Sequence, residues 1–283
     1  MDDDYELLDF GEGRKLEMFS GTIVNRPAPQ ATETRRHPHL WRDAALDYRR
    51  SGTHREDMEA WVGVPPVPWT FAYRRSRFQL KASPAGQVGI FPEQFGNWFW
   101  LEQQMDRLDG EQPRVLNLFA YTGGSTLAVA SKASEVVHVD ASKPVVQWAR
   151  QNADLSQMSD CPIRWIVDDV SQFVARESRR KRRYHGIILD PPTFGRGPSG
   201  QRWQIHSDLP SLVEQLFSLL LPQGFLLLTC HTTDVSQGDL RSWLEAATGS
   251  KQGRDDWSPL SLTTSSGKSL PSGLALRWEG VGT

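Results

Sequence analysis

Four apolar runs, each closed by a polar or glycine-rich turn, follow one another across the middle of the chain. Residues 115–118 lead into Phe119-Ala-Tyr-Thr-Gly-Gly124. Residues 136–139 end in Asp140, 165–167 end in Asp168 and Asp169, and 186–189 end in Asp190-Pro191-Pro192. Short apolar runs bounded by such residues read as buried strands. Helical spacing lies between them. Trp98, Leu101, Met105 and Leu108 recur at intervals of three and four, predicting a helix over 93–108. Further helices are predicted over 125–132 with Ser125 as cap, over 142–155 with Ser142 as cap and Pro144 in the first turn, over 171–183, and over 212–221. A fifth apolar strand covers 225–230. Strands alternating with helices call for an α/β fold: a Rossmann-like, doubly wound, mostly parallel sheet. The tail breaks this rhythm, since 260–264 and 274–278 are joined by Ser, Gly and Pro without a helix, and they read as an antiparallel hairpin.

The first 80 residues read differently. They carry Pro27, Pro29, Pro38, Pro65, Pro66 and Pro68 and short apolar clusters without helical period, and 71–80 has the rough alternation of a strand. The expected organisation is a small, mostly β domain over 1–80 and the α/β domain over 81–283.

Composition narrows the classes. With 283 residues, 38% hydrophobic content, 11 Trp and 12 Phe, the chain can bury a substantial core. A formal net charge of −2 argues against a protein that binds nucleic acid over its whole surface. Cys161 and Cys230 form no disulfide framework and no CxxC spacing. The Met-Asp-Asp-Asp start has the wrong charge for a signal peptide, and no apolar run approaches the ~20 residues of a membrane span. A cytoplasmic protein without membrane or metal is expected; the oligomeric state is left open.

The strand ends carry the candidate chemistry. Carboxyl ends of parallel strands open into one crevice, where an open α/β sheet binds its ligand. Thr122-Gly123-Gly124 opens a helix and lets backbone approach a ligand, although tight turns also use glycine for geometry alone. Asp140 stands 23 residues after Asn117, placed to accept both ribose hydroxyls of a nucleoside. That spacing also occurs in nicotinamide-binding folds, which use G-x-G-x-x-G. Here Phe119, Ala120, Tyr121 and Thr122 precede Gly123, so a methyl donor is preferred. Asp169 is placed to accept from the exocyclic amine of adenine, with Asp168 facing the other way by strand alternation; the alternative is a helix cap at Ser171. In Asp190-Pro191-Pro192, two prolines remove two donors and fix φ, holding Asp190 and nearby carbonyls rigidly for a planar amine, with Phe194 available for stacking.

Asn117-Leu-Phe-Ala-Tyr-Thr-Gly-Gly124, Val139-Asp-Ala-Ser142, Trp148-Ala-Arg-Gln-Asn152, Asp168-Asp-Val170 and Asp190-Pro-Pro-Thr-Phe194 together resemble class I S-adenosylmethionine-dependent methyltransferases. The nearest likeness is to bacterial 23S ribosomal RNA enzymes of the cytosine-C5 and guanine-N7 types, over about residues 85–280. An upstream piece, Gly89-Ile-Phe-Pro-Glu-Gln94, is included, with Glu93 where the family has Asp. The resemblance implies S-adenosylmethionine as cofactor and RNA, of ribosomal origin, as the partner. It implies a donor pocket lined by Phe91, Gln94, Asn117, Phe119, Tyr121, Thr122, Gly123, Asp140, Asp169 and Asp190. Catalytic roles fall to Asp190, Pro191 and Pro192, and to Cys230, which stands about where cytosine-C5 relatives place their nucleophile. A cysteine filling space in a strand is the alternative, and His231 beside it would lower its pKa or simply end the strand. Residues 1–80 do not resemble the RNA-binding domain of the cytosine-C5 enzymes. Methylation of a protein or small molecule at nitrogen, or a donor-binding module without catalysis, therefore remain rival readings.

Other features carry less. The run Arg179-Arg-Lys-Arg-Arg183 is read as cations placed favourably at a helix end. His37 and His39 are read as loop residues, and Trp98 and Trp100 as core.

Overall fold

Alternation and continuity of burial separate two kinds of sheet in the structure, a computed structural model that describes residues 4–49, 60–108, 110–249 and 252–281. The described chain divides into two compact units, one of residues 1–93 with 261–272 and one of residues 94–260 with 273–283. The division falls after the change of character near residue 80, and the first unit also takes in a piece of the tail. Contacts in space draw that boundary, and composition along the chain does not report them.

The first unit holds a five-stranded sheet in the order β1 (Tyr5–Gly11), β2 (Arg14–Phe19), β3 (Thr22–Pro27), β4 (Leu46–Arg49) and β5 (Ala60–Val62). Its neighbouring strands run antiparallel except β3 and β4, which are parallel, and β3 alternates buried and open positions as a strand with one wet face does. β6 (Thr70–Tyr73) and β7 (Ser76–Gln79) form a separate pair with Phe71 opposite Phe78. The single strand expected over 71–80 is thus a hairpin. Arg74, with φ of 52°, turns the chain where no Gly or Asn announces it.

The second unit carries α1 (Phe95–Arg107), β8 (Arg114–Leu118), α2 (Gly124–Ala130), β9 (Glu135–Asp140), α3 (Lys143–Leu155), β10 (Ile163–Val167), α4 (Val170–Arg179) and β11 (Tyr184–Leu189). After a two-stranded pair, β12 (Phe194–Arg196) and β13 (Arg202–Gln204), come α5 (Ile205–Leu219), β14 (Leu220–Cys230), α6 (Gln237–Thr248), β15 (Gly253–Thr263) and β16 (Ser269–Gly280), of which 261–263 and 269–272 are counted in the first unit. The sheet order is β10-β9-β8-β11-β14-β16-β15. Every neighbouring pair from β10 to β14 is parallel, and β16 runs antiparallel to β14. β8 and β9 are buried along nearly their whole length, as strands covered by helices on both faces must be. From β8 the chain winds one way to β9 and β10 and then returns to β11 and β14, so the switch of direction lies between β8 and β11. A ligand crevice opens there.

Two helices differ from expectation. α5 begins at Ile205, ahead of the expected 212, and runs through Pro210; burial of Ile205 and Leu209 outweighs the backbone bond that a proline removes. α6 was not foreseen, although Ser236 and Asp239 form a reciprocal capping box at its start, a signal legible as S-x-x-D. Among the described residues no helix is long and apolar enough to cross a membrane.

Candidate active site

The turn that follows β8 is held in an unusual backbone. Phe119, Tyr121 and Gly123 have φ of 52°, 48° and 90°, a left-handed conformation that bulky aromatic residues rarely adopt. Such strain persists where its surroundings over-determine it, and it clusters at functional sites. Here the Ala120 N–H donates to the Val139 carbonyl and the Tyr121 N–H to Asp140 Oδ2, at 3.1 and 3.0 Å. The turn is therefore laced to the end of β9. Gly123 is the N-cap of α2; a Cβ there would come within 3.3 Å of Ala149. Ser125 does not cap this helix as expected. Its hydroxyl accepts from Trp98 Nε1 at 3.1 Å, and Trp98 is core.

Beneath the turn lies a buried chain of polar groups. Asn117 Nδ2 donates to Thr126 Oγ1 at 2.8 Å, and Thr126 Oγ1 shares a hydrogen bond of 2.9 Å with His138 Nδ1. His138 Nε2 is buried and makes no hydrogen bond among the described residues. Burial, with a smaller push from Arg150, lowers the pKa of His138 to about 3, so the ring stays neutral.

The strand-end acids differ in what they hold. Asp140 is half-buried; besides Tyr121, its Oδ1 accepts the Ser142 N–H at 2.9 Å. Burial raises its pKa more strongly than these two N–H groups lower it. Ser142 is the N-cap of α3, yet its side chain makes no capping bond. Asp168 is engaged by Arg176. Asp169 is the N-cap of α4, its Oδ1 accepting the Gln172 N–H at 2.9 Å. Cap and ligand readings of Asp169 are compatible, because Oδ2 makes no hydrogen bond and faces Gly197. A Cβ at 197 would lie 2.9 Å from that oxygen, so only glycine brings the chain so close to it.

At the end of β11, Asp190 Oδ2 accepts from Gln94 Nε2 at 3.3 Å. Its Oδ1 is buried and accepts no hydrogen bond, with His231 Nε2 at 3.2 Å. Gln94 is buried and has two amide protons for three neighbours: Asp190, Thr229 Oγ1 at 3.3 Å and His231 Nε2 at 3.4 Å. Its orientation is imposed from a distance. Arg277 can only donate and does so to Asn97 Oδ1, at 2.8 and 3.1 Å. Asn97 Nδ2 therefore donates to Gln94 Oε1 at 2.7 Å, which turns Gln94 Nε2 toward Asp190. Pro191 is buried; Pro192 is exposed, and its carbonyl accepts from Trp203 Nε1 at 2.7 Å. Cys230 is buried, its Sγ lying 4.0 Å from the Thr232 carbonyl, and burial pushes its thiol pKa up.

The second unit thus brings together Gln94, Asn117, Phe119, Tyr121, Thr122, Gly123, Asp140, Asp169 and Asp190 around the ends of neighbouring strands. Thr122 is buried, its carbonyl accepting from Asn152 Nδ2 at 2.9 Å, and Phe119 packs on Trp203 with ring centroids 4.9 Å apart. Phe91 belongs to the first unit and is half-buried. Thr126, His138, Asn97 and Arg277 escaped the sequence reading. Each is a polar residue inside an apolar element, and nothing local marks its partner. Among the described residues no group of His, Cys, Asp and Glu is placed to hold a metal.

The crevice is a row of carboxylate acceptors with no Lys or Arg paired to Asp140, Asp169 or Asp190 among the described residues, and with His231 Nε2 3.2 Å from Asp190 Oδ1. Asp169 Oδ2 and Asp190 Oδ1 have no hydrogen bond, and each Asp140 oxygen holds one bond with lone-pair capacity to spare. That donor-poor lining fits an adenosyl group, whose ribose hydroxyls and purine amine both donate.

A family model described as S-adenosylmethionine-dependent methyltransferase matches residues 36–248. Ribosomal RNA large subunit methyltransferase K/L of Syntrophotalea carbinolica is 38% identical over 119 residues, covering 41% of this chain and 16% of that protein. Ribosomal RNA large subunit methyltransferase I of Escherichia coli is 31% identical over 164 residues, covering 56% of this chain and 40% of that protein. The chain spans less than half the length of these curated relatives. The crystal structure of the SAM-dependent methyltransferase from Agrobacterium tumefaciens superposes with a TM-score of 0.91 at 31% identity, covering 99% of this chain and 92% of that one. Strand order, strand-end carboxylates and these matches converge, and the chain belongs to the S-adenosylmethionine-dependent methyltransferases.

Proposed function

We propose that the protein methylates a base in RNA, with ribosomal RNA as the acceptor. Bound S-adenosylmethionine supplies a methyl already activated on a sulfonium, so the protein contributes mainly position. In this reading Asp140 accepts the ribose hydroxyls and Asp169 Oδ2 the purine amine. Asn117, Phe119, Tyr121, Thr122 and Gly123 line the turn beside the amino-acid end, and Gln94 stands between donor and acceptor sides. Asp190 and the Pro191-Pro192 carbonyls hold the edge of the target base.

The observation that carries this reading is Asp190 Oδ1, a buried carboxylate oxygen without a hydrogen bond at the end of a rigid strand. An amine or ring N–H of a base would satisfy it. The names of the relatives support RNA as the acceptor. The buried Cys230, whose thiol pKa is raised by burial, favours a nitrogen atom of the base over cytosine C5, since attack at C6 needs a thiolate. Mass spectrometry of nucleosides from ribosomal RNA of a deletion strain tests the proposal, and one methylated nucleoside should be missing. Unchanged RNA in every fraction would overturn it. Cys230→Ala should retain transfer; its abolition would restore the cysteine route.

A further inference from the structure

The pair of strands that follows Asp190-Pro191-Pro192 has one face turned inward and one turned out. Inward, Trp203 is buried against Phe119 and bonded to Pro192, and Gly197 faces Asp169, so the pair stands over the crevice. Outward, it presents Phe194, Arg196, Arg202 and Gln204, all exposed, with Phe194 at 70% of its surface. Arg196 and Arg202 are direct cross-strand partners. Like charges in that position repel, and folded proteins normally answer them with an acid. Here neither guanidinium makes an ion pair or a hydrogen bond among the described residues.

The geometry points to this outer face as the clamp for a single-stranded polynucleotide, with the two arginines sharing a phosphate and Phe194 stacking on the base beside the target. Two forked donors side by side match the planar, multidentate recognition that phosphate favours. An exposed aromatic next to them is the usual companion in single-strand binding, because every base offers a face to stack on. The inference rests on the RNA reading above and adds where the strand is held.

The test is fluorescence anisotropy of a labelled single-stranded RNA of about 12 nucleotides, titrated with the full chain at several salt concentrations. Arg196→Gln with Arg202→Gln should weaken binding about tenfold or more and reduce the salt slope by about 0.7, as expected for the loss of one neutralised phosphate. Phe194→Leu should weaken binding about tenfold and leave the slope unchanged. All three positions are exposed, so donor binding by calorimetry should stay at the wild-type value and serves as the folding control. Wild-type RNA binding that the double variant leaves intact would overturn the clamp and spare the RNA acceptor. No RNA binding by the wild type would overturn both. Arginine-dependent binding of poly-glutamate in place of RNA would assign the face to an acidic protein partner and also overturn the clamp.

Discussion

Glu17 of the first unit and Asp140 of the second are both carboxylates withdrawn from water, and their pKa values move in opposite directions. Burial alone would raise each. At Glu17 it is outweighed by the Arg26 and Lys15 cations, which lie 2.6 and 3.0 Å away, so the net shift is downward. Asp140 has only two backbone N–H groups, and burial prevails. Asp9 of the first unit makes the same point. The Trp41 indole N–H and three backbone N–H groups outweigh its burial and lower it. Glu17 and Asp9 of the first unit are satisfied within the fold, while Asp140 and Asp190 of the crevice keep unused acceptor capacity. A buried acid with its cation reads as structure, and one without a cation, at a strand end, reads as a site for donors that come from outside.

Removing charge at the two acids should break this comparison most sharply. Glu17→Gln strands the buried Arg26 and should cost about 3–5 kcal/mol of stability in a denaturant titration. A loss below about 1 kcal/mol would show that the pair is dispensable. Asp140→Asn should do the reverse, leaving stability equal or higher while donor affinity by calorimetry falls about 100-fold, near 2.7 kcal/mol. Retained affinity would remove Asp140 from the ribose.

Acid pH sharpens it further. His138 has a folded pKa near 3 against its ordinary 6.5, so the unfolded chain binds more protons between those values, and stability must fall as pH drops below 6.5. At pH 5 the expected loss is about 2 kcal/mol, and His138→Gln should flatten that limb of the unfolding profile. Glu17, with its lowered pKa, holds its contribution until pH falls through its folded value. Asp140, with a raised one, works in the opposite sense, and its burden is relieved as pH falls. The smallest effect belongs to the relay. Arg277→Met frees Gln94 to rotate and should lower the transfer rate about tenfold with little change in donor affinity.

The strand ends were legible before any coordinates because each is a local event: an apolar run must stop where a charge begins. Asp140, Asp169 and Asp190 could be placed in order along the chain for that reason, and the doubly wound sheet follows from alternating strands and helices. The left-handed backbone at Phe119 and Tyr121 was not legible, since aromatic residues do not advertise it. Nor was the relay from Arg277 through Asn97 to Gln94, whose first link spans 180 residues. The hairpin at Arg74 and the early start of α5 were hidden in the same way, because burial overrode turn and helix propensity.

Taken alone, the sequence determined the fold class, the family and the acids that end the strands, all of which depend on residue type and short spacing. Tertiary structure alone decided which acids are answered and which are left open. It paired Glu17 with Arg26 and left Asp190 Oδ1 without a hydrogen bond. The physical reason is that desolvation and compensation are set by what surrounds a charge in three dimensions, and neighbours along the chain do not report it.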